Sequence, residues 1–488
     1  MKDKRPNIVF LLNDHQAYYR HGWDGGEKIK RPNFDKLAKK GANFTHAVSV
    51  CPLCGPARRS LLNGLYPHNH GEIRNERNIP FKEEIYLNIL ARNGYKNFYY
   101  GKWHAGPGTA LEQNCEGFSY SGYSNPYTKP EYIDYLKKKK LPNPTINITR
   151  NFMKDRPEVG GTGYVQDRSW CNEHAVGKMN APKECHEAFF LAEMACDKLE
   201  ELSKNNKNQP FHLRVDFWGP HPPYFPTQEF IDMYNPSQIP MYESFSDSLE
   251  EKPKKYKREL NLGIGEDRVL IQPNPMRWED WQHVLAYCYA HITMVDDAAG
   301  KIINKLDELG FGENTMVIYT TDHGDAVACH GGHFDKASYL CEAVMRIPMA
   351  IRYPNVIESG EIINSWVSNL DIAPTILDAA GLSFTKKVDG SSLLKIFEKK
   401  DEDREDLMCE SYGHGDKEYI HGRVLYYNNL KYVYNYNELD ELYDLKADKY
   451  EMNNLVNNEE YAEKLNEMIK RLKKKQKEFN DPFIFNKS

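Results

Sequence analysis

At 488 residues the chain is long enough for more than one domain, and a net charge of −6 excludes the broadly basic surface that binds nucleic acid or anionic membrane. No run of about 18 apolar residues occurs, so no membrane span is expected, and Met1–Pro6 enters a strand pattern without the apolar stretch and cleavage site of a leader. The ten cysteines follow no framework spacing, which suits reduced thiols and a cytoplasmic protein, with an exported form whose leader has been removed left open.

In chain order, strands are expected at Asn7–Leu12, Asn97–Tyr100, Phe211–Phe217, Thr315–Thr320 and Met349–Arg352. Helical patterns fall between them, at Pro32–Lys40, Glu187–Ser203 and Trp278–Leu309. This alternation predicts an α/β fold with a large, mostly parallel central sheet flanked by helices, in a catalytic domain over residues 1–385. Asp296 and Asp297 lie on the long third helix and read as a solvated or capping pair. Ser119–Asn180 and Pro240–Pro273 lack clear periodicity and read as loops over an active-site rim. Beyond residue 386 the composition changes. Arg423–Tyr427 and Lys431–Asn435 flank Asn428-Asn429-Leu430 as a hairpin, Leu442–Leu445 adds a strand, and Glu460–Lys477 is a charged helix. Residues 386–488 are therefore expected to form a smaller subdomain of antiparallel sheet and helix.

Three of the strands run directly into polar clusters: Asp14-His15, Lys102-Trp103-His104 and Asp322-His323. Parallel sheets collect ligands at the carboxyl ends of their strands, so these clusters are candidates for one site. A fourth candidate is the run Cys54-Gly55-Pro56-Ala57-Arg58. Pro56 suits the first turn of a helix and Gly64 its end, which places Cys54 at a helix N-terminus, where free N–H groups favour an anion. Arg58, four residues on, shares that face. Cys51 and Cys54 could alternatively be a redox or metal pair, although such a pair does not require Pro56 and Arg58. His330 and His333 are separated by two glycines, which disfavour a helical zinc pair, and they remain unassigned.

The Cys54–Arg58 run, with Gly101-Lys102-Trp103-His104, the loop Pro220-His221-Pro222-Pro223 and Asp322-His323, resembles the type I sulfatases of the alkaline-phosphatase-like superfamily. The resemblance implies a sulfuric ester hydrolase in which a maturation enzyme converts Cys54 to formylglycine. It further implies a divalent metal held by Asp14, His15, residue 54, Asp322 and His323, with calcium first and manganese or zinc as alternatives. Arg58 would brace the hydrated aldehyde, Lys102 and Lys336 would contact sulfate, His104 would assist its release, and His221 would protonate the leaving alcohol. His15 departs from the aspartate or glutamine common in the family. The implied partner is a small sulfate ester of a sugar or aryl alcohol. Two other readings are a phosphonate monoester or phosphodiester hydrolase of the same superfamily, and a non-catalytic thiol and metal-binding protein.

Overall fold

The computed structural model describes residues 5–18, 29–122, 124–151, 160, 162–165, 175–205, 209–260, 276–336, 339–398, 404–414 and 421–483. An eight-stranded sheet is built from β1 (Asn7–Asn13), β2 (Ala42–Phe44), β3 (Lys96–Lys102), β4 (Cys115–Tyr120), β5 (Phe211–Asp216), β6 (Thr315–Thr321), β7 (Met349–Arg352) and β8 (Glu361–Ile363). Their spatial order is β8-β2-β7-β6-β1-β5-β3-β4, and only β7 runs against the others.

The two-residue period of a strand explains why β1 reads as continuously apolar. Val9 and Leu11 enter the core beneath the helices Glu187–Asn205 and Trp278–Glu308, whereas Ile8, Phe10 and Leu12 enter the core on the opposite face with the helix Ile372–Ala379. A strand covered on both faces has no polar side to show. Register then aligns the strand ends: Asn13 pairs with Thr321, Leu12 with Asp216, and Asp216 with Gly101. Asp14, Lys102, Asp216 and Asp322 therefore emerge at one edge.

The segment Ser119–Asn180 is more ordered than expected. It holds a helix at Pro130–Lys139 and a three-stranded antiparallel sheet of Thr162–Tyr164, Thr145–Asn151 and Ala175–Asn180. Ile146 and Ile148 are buried between more accessible Thr145, Asn147 and Thr149, an alternation too short to stand out among polar neighbours. Within Pro240–Pro273, a short helix occupies Lys254–Glu259, and residues 261–275 lie outside the described residues. Asp296 is a cap contributed from a distance, accepting the backbone N–H groups of Asn33 (2.9 Å) and Phe34 (2.8 Å) at the start of the helix Pro32–Lys39.

A separate antiparallel sheet joins Asp406–Ser411, Gly422–Tyr427, Leu430–Asn435 and Glu441–Asp444 in that order, and the helix Ala462–Glu478 buries Met468 and Leu472 against it. The hairpin turn is shorter than expected, because Leu430 already pairs with Tyr427. No disulfide occurs among the described residues. No helix among them is long and apolar enough to cross a membrane.

Candidate active site

Cys54 begins the helix Cys54–Asn63, whose preceding residue, Leu53, is extended and makes no side-chain cap; Gly64 closes the helix at φ 68°. The helix is buried along its whole length, so its N-terminal positive end faces the strand edge rather than water. Cys54 Sγ lies 3.1 Å from His323 Nε2 and 3.8 Å from Asp14 Oδ1. Ligand atoms of Asp14, Cys54, Asp322 and His323 all fall within 4.8 Å of one another, and all four residues are buried. If residue 54 is oxidised, this sulfur marks where a hydroxyl of the hydrated aldehyde would sit.

The group suits a cation. His323 Nδ1 lies 2.9 Å from Gly324 O, so that nitrogen carries the proton and donates it, leaving Nε2 turned toward the sulfur. Burial opposes charge on this ring, but the Asp322 carboxylate and Cys54 outweigh it and raise its pKa to about 9. A proton held so firmly occupies the place of a positive charge. Asp14 is fully buried; desolvation favours its neutral form, yet Lys102 and Arg58 hold its carboxyl well below the usual range. Lys102 Nζ donates directly to Asp14 Oδ2.

His15 stands apart from this group of four, unlike the expected ligand set. With φ 70° it turns its ring away, and Nε2 lies 2.6 Å from Asp335 Oδ1. Its backbone N–H donates to Asp322 Oδ1 at 3.1 Å. The ring packs between His221 and His323, with centroids 4.8 and 4.7 Å away. Arg58, expected to brace the hydrated aldehyde, is engaged with carboxylates. Its guanidinium is directed at three carboxylates: Nε to Asp322 Oδ2 (2.9 Å), one terminal nitrogen to Asp216 Oδ2 (2.9 Å), and the other 3.4 Å from Asp14 Oδ2. A buried cation with three buried anions cannot be removed cheaply. Arg58→Met should lower unfolding free energy by about 3–5 kcal/mol. Urea denaturation showing no loss would contradict this bracing role.

His104, at φ 45°, follows β3 and is buried; desolvation, then Lys102 and Arg58, keep its pKa well below the ordinary value. His221 Nδ1 lies 2.6 Å from Pro222 O, and burial likewise holds this ring neutral. Lys336 is buried against Asp335 Oδ1 at 3.0 Å; burial works against its charge, but Asp335 overrides it and the ammonium is retained. The structure thus gathers residues from six separate stretches of chain around one strand edge.

Four contributors escaped sequence reasoning. Asp216 ends β5, where it also receives Arg214 Nε (2.6 Å) and the Tyr99 hydroxyl (2.7 Å); an acid closing a buried strand was the available signal. Asp335 could be read only as a neighbour of Lys336. Glu187 accepts the Gly219 N–H at 2.9 Å and so holds the loop before His221, while Gly219 O receives the Asp14 N–H at 3.2 Å. His414, from the C-terminal region, is close enough that Lys336, Asp335, His323 and His15 all act on its charge; burial first, then Lys336, lower its pKa to about 3.

The sheet, its helices and the separate four-stranded sheet define an alkaline-phosphatase-like α/β fold. Solved structures share it across nearly the whole chain. A phosphonate monoester hydrolase of Agrobacterium radiobacter superposes with a TM-score of 0.78 at 21% identity, covering 97% of this chain and 96% of that one. A structure described as in complex with its substrate D-glucosamine-2-N,6-O-disulfate gives 0.72 at 22% identity, over 98% and 99%. The sulfatase family model matches residues 6–382, and the N-sulphoglucosamine sulphohydrolase C-terminal model matches residues 329–478. The chain belongs to the sulfatase family and is a sulfatase, a hydrolase of sulfate esters. Among its relatives are an N-acetylglucosamine-6-O-sulfatase of Bacteroides thetaiotaomicron, 25% identical over 98% of this chain and 87% of that protein, and an ulvan-active sulfatase of Formosa agariphila, 27% identical over 98% and 82%.

Proposed function

We propose that this sulfatase acts on a sulfated sugar, with Cys54 matured to formylglycine and one divalent metal held by Asp14, residue 54, Asp322 and His323. The observation that carries the reading is the placement of Cys54 Sγ at a buried helix N-terminus inside that four-residue group. The hydrated aldehyde would supply one hydroxyl to attack sulfur and a second to expel sulfate, and the metal would draw charge from the sulfate oxygens.

The chain's own residues prepare this chemistry. Lys102 pairs with Asp14 and Lys336 with Asp335, which places both ammonium groups to neutralise an anionic ester. Arg58 pairs with Asp14 and Asp322 and fixes both carboxylates. His221 donates its Nδ1 proton to Pro222 O, so Nε2 is the nitrogen that would take up a second proton. Arrival of the anionic ester favours protonation of Nε2, and that proton can pass to the departing alcohol. His104 is neutral and can take a proton from residue 54 when sulfate is released. Sugar specificity is supported by the relatives whose names carry amino-sugar and polysaccharide substrates.

A panel of sulfated mono- and disaccharides, an activated aryl sulfate, phenylphosphonate and a phosphodiester tests the reading. Turnover should be greatest on a sulfated sugar; a preference for phosphonate or phosphodiester would replace it. Acid catalysis matters most for a poor leaving group, so His221→Ala should slow sulfated sugars by about 10²–10⁴-fold and a nitrophenyl sulfate far less. Lys102→Ala should slow both alike, because neutralising sulfate does not depend on the alcohol. Equal losses for His221→Ala on the two substrates would move the acid role to Lys336.

A further inference from the structure

A second buried group of metal-ligand type lies at the stems of the loop that carries Asp335 and Lys336. An imidazole nitrogen of His330, Cys341 Sγ and a carboxylate oxygen of Glu451 lie within 4.8 Å of one another, and all three residues are buried. His330 and Cys341 flank the loop, whereas Glu451 comes from the C-terminal region, after the strand Glu441–Asp444.

The hydrogen bonds around His330 select its tautomer. Nδ1 lies 2.9 Å from Asp247 Oδ2, so the neutral ring keeps its proton there. Burial first, and then Lys252, lower its pKa to about 4, so the ring is neutral at physiological pH. Nε2 is left with a lone pair, is buried, and has no hydrogen-bond partner among the described residues. A metal-bound histidine usually donates its other ring N–H to a carboxylate in this way, which fixes the tautomer and orients the ring. A water could satisfy Nε2 too, but the neighbouring thiol and carboxylate complete a ligand set that suits zinc.

The surrounding charge is balanced: Asp247, Glu342, Glu441 and Glu451 face Lys252, Lys431, Arg346 and Lys255, the last linked to Glu441 through Asn435. A divalent ion that displaces the Cys341 proton adds one positive charge beside these carboxylates. Without an ion, burial pushes the Cys341 thiol far above its ordinary pKa and leaves it inert. Glu451 retains lone pairs for coordination, although Lys431 Nζ (2.7 Å) and the Glu342 N–H (2.6 Å) already donate to it. Cys341 belongs to an apolar cluster with Leu249, Tyr256, Ala326, Cys329 and Tyr339. Tetrahedral zinc ligands sit about 3.5 Å apart, so a small contraction would bring these three donors to an ion, whose fourth ligand would be water.

We propose that His330, Cys341 and Glu451 form a structural zinc site that clamps both stems of the Lys336 loop to the C-terminal subdomain. The ion would be distinct from the one proposed at Asp14, residue 54, Asp322 and His323.

Cobalt reports on it directly, because a thiolate ligand gives a near-ultraviolet charge-transfer band. In a Cys54→Ala background, which removes the active-site sulfur, full-length protein titrated with Co2+ should show that band, saturating at one equivalent per chain. Cys341→Ser should abolish the band, His330→Gln should weaken binding, and Asp247→Asn should weaken it by about 10–100-fold. No band in the Cys54→Ala protein, or an unchanged band after Cys341→Ser, would overturn the site. Should the serine variant misfold, elemental analysis of protein carrying both Cys54→Ala and Asp322→Asn, which leaves only Asp14 and His323 of the catalytic set, decides: one retained zinc supports the clamp, and none rejects it. Loss of metal at Asp322→Asn with zinc retained bears on the two sites separately, so neither reading shelters the other.

Discussion

Cys54→Ala should reduce turnover by roughly 10⁵–10⁶-fold, the scale on which loss of a covalent nucleophile falls. Folding should be nearly unaffected. The side chain is small, and the groups that fix the site, Arg58 with Asp14, Asp216 and Asp322, remain in place. Peptide mass spectrometry on active enzyme should find the modification at Cys54 and an unaltered thiol at Cys51. Cys51 is a poor alternative on physical grounds: burial, and then Glu410, push its thiol well above the ordinary range. Modification at Cys51, or an active preparation with unmodified Cys54, would refute the assignment. Cys54→Ser tests the same point more narrowly, since a serine offers one hydroxyl to attack but no second hydroxyl to release sulfate.

Asp322→Asn should lower activity by about 10²–10³-fold and metal affinity with it, and excess metal should restore part of the loss. The amide preserves an oxygen acceptor for the backbone N–H groups of His15 (3.1 Å) and His323 (2.9 Å), so the change removes charge more than shape. Two carboxylates with an imidazole and an oxygen from residue 54 suit calcium or manganese better than a soft metal, and elemental analysis of active enzyme distinguishes them. Full activity in Asp322→Asn, or wild-type activity after exhaustive chelation, would remove the metal from the mechanism. The two sites proposed here also separate by variant: Asp322→Asn should lose the catalytic ion, and Cys341→Ser the structural one.

His15 shows where local reading stops. Its position after β1 and beside Asp14 makes it an obvious ligand in one dimension, but φ 70° and Asp335, 320 residues later, take its ring elsewhere. Arg58 was legible as a site residue because it lies four positions from Cys54 on one helix. Its partners were not, since Asp216 and Asp322 reach it from separate strands. The segment Ser119–Asn180 concealed a small sheet because its buried residues, Ile146 and Ile148 on one strand and Val176 and Met179 on another, form only short patterns among polar neighbours.

What the sequence determined by itself was the set of strand-then-chemistry motifs, the helix that starts at Cys54, and the change to a small antiparallel sheet near the end. Each is a local property, written in apolar periodicity, in Pro56 and Gly64, and in polar residues placed directly after buried strands. Tertiary structure decided which of these residues meet. The register of parallel strands brings Asp14, Lys102, Asp216 and Asp322 to one edge, and the chain's return from the C-terminal region brings His414 toward the active site and Glu451 to His330 and Cys341. Such pairings are set by burial and charge balance between segments far apart in sequence, and no spacing rule along the chain encodes them.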